Sequence, residues 1–178
     1  MNDIKRWSVI GIIAITILGS CLHYVYAWTG HSTIIGAFVP VNESVWEHLK
    51  MGYWSVVLFS VAEYFLMRHS INNYFPAKTV GVLALELAIL LIFYGYCFMA
   101  GKDNLLIDIF SYVLGAILCQ YLTYGLFRYK PVPVLFKRIS LVVFISTGVL
   151  FAVTTYYPPH WEIFKDGNDN TYGIAKEK

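Results

Sequence analysis

The stretch PVNESVWEHLKMGYW, residues 40–54, sets Glu43, Ser44, Glu47 and His48 directly ahead of an apolar run. Imidazoles and carboxylates are common ligands of zinc, and a catalytic zinc takes three protein ligands while keeping a position for water. His23, His48 and His160 supply three imidazoles, with Asp108 or Glu47 as a fourth ligand or as a general base. A metal so held polarises a carbonyl or phosphoryl group and lowers the pKa of water towards neutrality. Ser44, four residues before His48, would donate to the oxyanion that develops. The sequence contains no H-E-x-x-H, so the candidates must converge from distant segments. With no oriented Ser, His and Asp set in view, Ser44 is disfavoured as a covalent nucleophile.

The elements that must position these residues are apolar. Of the 178 residues, 58% are hydrophobic and 13% charged, about half the charged share of a soluble domain. The apolar residues fall into blocks near the ~20 residues that cross a bilayer as helix. This composition predicts an all-α, polytopic membrane bundle with five transmembrane helices, at about 7–28, 50–68, 79–100, 104–127 and 138–157. Residues 1–178 read as one integral membrane domain, ending in a tail over 158–178. The first block, preceded by Lys5 and Arg6, is long for a signal peptide and reads as a retained span. Prolines in RYKPVPVLFK, residues 128–137, separate the last two spans.

Five spans put the termini on opposite faces. Lys5, Arg6, Arg68, Lys78, Arg128, Lys130, Lys137 and Arg138 then share one side, which the positive-inside rule makes cytoplasmic. The N-terminus is accordingly expected inside and the C-terminus outside, in a multi-pass protein of the cell membrane. His23, His31, His48, His160, Glu43, Glu47 and Asp108 all gather at the outer end. A formal charge of +2, without a basic run interleaved with aromatics, excludes a nucleic-acid partner. The expected partner is membrane lipid, as a lipid-like substrate with an amide, ester or phosphate; protein partners are not indicated.

Asn42 is expected to cap the second span, which would put Glu43 and Glu47 on one helix face and Ser44 and His48 on its neighbour. Glu63, Glu86 and Gln120 form an inner polar layer, either a clasp between helices or a proton or cation relay. The relay would suit an ion-coupled transporter, and a non-catalytic sensor or assembly partner is a third reading. Cys21, Cys97 and Cys119, odd in number and scattered through apolar blocks, read as small buried hydrophobes. Asp166, Asn168, Asn170 and Glu177 fall at calcium-loop positions one, three, five and twelve, but Thr171 stands where the loop needs glycine.

HSTIIGAFVPVNESVWEHLKMGYW and PPHWEIFKDGNDNTYG, with Glu63 and Tyr64, resemble a family of small bacterial five-span integral membrane proteins of unknown function. The resemblance runs over nearly the whole chain and implies the same five-span fold. Ser44 and His48 are also similar in spacing to the S-x-x-x-H of alkaline ceramidase-like membrane hydrolases. That similarity implies zinc, with His23 and His160 as the other imidazoles and Asp108 as the acid. Five spans stand where those enzymes have seven, and their H-x-x-x-H pair is represented by His160 alone.

Overall fold

The helix that carries the opening motif, α3 (Val45–Met67), begins five residues earlier than its apolar run suggests. Ser44, and not Asn42, is its N-cap: the Ser44 hydroxyl accepts from the Glu47 amide at 3.3 Å. Asn42 instead accepts from the Ser44 amide, at 3.0 Å, and closes the preceding turn. This two-residue difference leaves Glu43 outside the helix and ends the expected i, i+4 pairing with Glu47.

The computed structural model describes residues 2–102 and 104–174. In chain order the helices are α1 (Asn2–Trp28), the short α2 (Thr33–Gly36), α3, α4 (Tyr74–Ala100), α5 (Leu105–Arg128) and α6 (Val134–Tyr156), followed by a 3-10 turn over Glu162–Phe164. The described residues contain no strand. Four helices, α1, α4, α5 and α6, are long and apolar enough to cross a membrane. The 23-residue α3 is of similar length but carries Glu47, Lys50 and Glu63, and it is not among those four.

Polarity is inverted relative to a water-soluble bundle. Phe98, Met99, Leu91 and Ile13 point outward, whereas Lys50, Lys78, Glu63 and Gln120 are all fully buried. The burial of the three charged groups is made tolerable by pairing. Lys50 meets Glu47 at 2.5 Å and also donates to the Gly36 carbonyl at 2.8 Å and to the Thr155 hydroxyl at 2.7 Å. The other Glu47 contact, from the Val41 amide at 3.0 Å, ties the 37–44 segment to the start of α3. Lys78, expected in a cytoplasmic loop, lies within α4, in contact with Glu63 and beneath the Phe59, Tyr74 and Phe127 rings. The inner layer is therefore centred on a Lys78–Glu63 pair that its acids alone did not announce.

Helices α4 and α5 approach closely at Gly115, where an added Cβ would sit 3.1 Å from the Leu85 carbonyl oxygen and 3.3 Å from its Cα. Because that contact is with backbone, the helices themselves must separate. Gly115→Val is expected to cost about 1–3 kcal/mol by overpacking, read as a lowered unfolding midpoint in detergent micelles. The α5–α6 connection is held by buried Asn73, whose amide donates to the Leu126, Tyr129 and Lys130 carbonyls and whose oxygen accepts from the Val132 amide. Of the cysteines only Cys119 is buried; Cys21 is exposed because its side of α1 faces outward.

Candidate functional site

Two segments meet above the start of α3. The tail folds back over it: the Glu43 amide donates to Asp166 Oδ2 at 3.0 Å, and the Asn42 amide group donates to the Gly173 carbonyl at 3.0 Å. Trp46 completes the clamp, donating to Thr154 Oγ1 at 2.8 Å and packing on Phe164 with ring centroids 4.6 Å apart. Asp166 is buried, and its Oδ1 accepts from the Asn168 amide at 2.6 Å. Both Asp166 oxygens are thus taken by N–H donors, which suits a turn and not a calcium loop; the twelfth-position Glu177 lies outside the described residues. Beside it, hydrogen bonds from the Thr171 hydroxyl and amide hold the exposed Asp169 carboxyl below its usual range.

Held in this way, Glu43 turns towards α1. Its Oε1 lies 3.4 Å from His23 Nε2 and its Oε2 lies 3.6 Å from His48 Nε2. The two imidazoles stack with centroids 5.7 Å apart. His48 Nδ1 lies 2.9 Å from the Ser44 carbonyl and can only donate to it. In the neutral ring that bond fixes the tautomer with a lone pair on Nε2, the form a metal ligand needs. One ligand atom from each of His23, Glu43 and His48 lies within 4.8 Å of the others. Two imidazoles and a carboxylate at this separation could hold one divalent ion, with positions left for water or substrate.

The cluster opens on a cavity of about 680 Å³ between α1, α3, α4, α5 and the tail, which Asp108 and Tyr112 also line. Tyr112 is anchored by Ser55, with 2.7 Å between their hydroxyl oxygens. Not every expected residue reaches this space. Glu47 is consumed by Lys50 and the Val41 amide, and the buried Ser44 hydroxyl by the helix cap. The His160 ring lies against Tyr172, with centroids 4.7 Å apart, and is not part of the His23–Glu43–His48 group. Glu43 is the member of this group that sequence reasoning left out of the candidate ligands. The available signal was its place just before a serine able to cap, which frees it from the helix face.

The fold and this cluster define an all-helical protein of membrane-spanning character with a polar end where a carboxylate meets two imidazoles. The chain belongs to the family of unknown function DUF6512, whose model matches residues 1–174. Neither the curated proteins nor the solved structures contain a match to it.

Proposed function

We propose that the protein is a five-span hydrolase of the cell membrane. A divalent metal ion, zinc by ligand type, is held by His23, Glu43 and His48, and the substrate is a lipid amide, ester or phosphate at the extracytoplasmic interface. The observation that carries this reading is the convergence of those three ligands at the mouth of a cavity that also receives Asp108. Zinc would supply the polarisation of the scissile group and the acidification of water. Asp108 would accept the proton from the attacking water, and the Ser44 carbonyl keeps His48 in the ligating tautomer.

The fifth span is α3. Its charges are matched within the bundle, Glu47 by Lys50 and Glu63 by Lys78, which removes most of the cost that keeps ionised groups out of a bilayer. Lys5, Arg6, Arg68, Arg128, Lys130, Lys137 and Arg138 gather at the end opposite the cluster, favouring N-terminus inside and C-terminus outside.

The full chain, purified in neutral detergent and supplied with zinc, is expected to retain about one ion per protein by elemental analysis, the stoichiometry of a single three-ligand site. A zinc content at background after supplementation would remove the assignment. A second reading, an ion-coupled carrier, draws on Lys78–Glu63 and on Gln120, whose buried amide atoms have no hydrogen-bond partner among the described residues. Solute flux into proteoliposomes that persists unchanged in Glu63→Gln and Glu86→Gln would argue against it.

A further inference from the structure

The cavity is divided by chemistry along its depth. Met51, Ile89, Phe93, Tyr112 and Val113 line it from positions well inside their helices, and the Thr16, Ser20 and Ser111 hydroxyls beside them donate to carbonyls of their own helices, so this part offers mainly apolar surface. Glu43, Asp108, Glu162, Lys165 and Asp166 make the other part polar and sit at helix ends or in the tail. A ligand that fills both parts is amphiphilic, and a volume of about 680 Å³ falls in the range that encloses one small molecule. Its apolar portion would run along α3, α4 and α5, and its head would lie under the tail beside His23, Glu43 and His48.

Charge then chooses the head. Four carboxylates face one ammonium at the polar end, a formal net charge of −3, and a divalent ion on the cluster would still leave −1. Lys165 does not redress this balance, because its ammonium lies 3.4 Å from the Glu162 carboxylate. The imidazoles, once ligating a metal, are neutral. An anionic phosphate would enter against like charge, whereas a neutral or cationic head meets no such penalty.

Resting on the hydrolase reading, we infer that the substrate is a single-chain amphiphile with a neutral or cationic head, joined to its chain by a carboxylic ester or amide, and that phosphate-headed lipids are rejected. Hydrolysis forms a bond from water oxygen to the carbonyl carbon and breaks the bond from that carbon to the head oxygen or nitrogen. One water proton passes to the departing head group, and the chain leaves as its carboxylic acid.

The test uses three probes with one fluorescently tagged dodecanoyl chain and different heads: choline, glycerol and glycerol phosphate. Binding is measured to the full chain in neutral detergent at about 0.15 M salt, where charges within roughly 8 Å still interact. The choline and glycerol esters are expected to bind at least about tenfold more tightly than the phosphate ester, a ratio that a few ångströms of like-charge approach readily produces. High salt should narrow that gap. Val113→Trp, which fills the apolar part, should weaken both favoured probes while zinc content stays at the wild-type value. Phosphate-probe binding as tight as the others, or favoured probes unaffected by Val113→Trp, would overturn the inference even with zinc bound. Absence of zinc with the head-group order intact would count against the metal reading alone.

Discussion

His48→Ala is expected to lower zinc affinity by more than about 100-fold, because altering even an outer partner of a ligand typically costs 10–100-fold and this change removes a ligand itself. Three atoms within 4.8 Å of one another would share the ion in the proposed site, so the loss of one would leave too few donors to compete with water. The same loss is expected for Glu43→Gln, which keeps the shape of the side chain and removes its charge. His160→Ala should bind zinc as the wild type does, since that ring rests on Tyr172 and stands apart from the cluster. The measurement is zinc competition against a chromophoric chelator, together with the zinc-induced rise in unfolding midpoint. A ligand present at 100 times its dissociation constant stabilises by about 2.7 kcal/mol, so the rise should be plain in His160→Ala and absent from His48→Ala. Weak binding in His160→Ala with tight binding in Glu43→Gln would restore the ligand set of His23, His48, His160 and Asp108 expected from the sequence.

The second large effect concerns stability. Lys50→Met is expected to destabilise the fold by about 3–5 kcal/mol, the usual cost of leaving one partner of a buried pair behind. Three contacts disappear together: the ion pair to Glu47 and the hydrogen bonds to the Gly36 carbonyl and Thr155 hydroxyl. Those bonds tie the segment before α3 to α6, so the Glu43 loop should loosen as well. Lys50→Met combined with Glu47→Leu removes both charges and should recover much of the loss, since a matched apolar pair is often as stable as a buried ion pair. Thermal unfolding of the three proteins in the same detergent measures the difference. A single variant as stable as the wild type would show that Lys50 does not hold this corner.

The helices were legible because a bilayer-length apolar run has few other uses. Their beginnings were not. Three apolar runs, from residues 7, 50 and 79, each begin five residues beyond the observed Asn2, Val45 and Tyr74, although the Asn42 cap expected for the second span would have started its helix at residue 43. The turns just ahead of residues 50 and 79 contain groups that a hydropathy reading excludes from a span and that tertiary contacts neutralise, Glu47 by Lys50 and Lys78 by Glu63. The same blindness sent Lys78 to a loop. A lysine looks exposed until an acid and three aromatic rings from other turns and helices surround it.

At the cluster, the sequence by itself determined that imidazoles and carboxylates would collect at one end of an apolar bundle, because span lengths set the depth of every residue. His23, His48 and Asp108 were legible on that ground and line one cavity. Only the tertiary structure decided which acid joins the histidines. Glu47 has a lysine one turn along its own helix and is buried with it, while Glu43, displaced from the helix by the Ser44 cap and held by Asp166 of the tail, swings to His23 and His48. His160 was separated from the set in the same way, by an aromatic partner twelve residues further along the chain. Depth along a helix follows from counting residues; the choice of partner depends on contacts between distant segments, which no local spacing encodes.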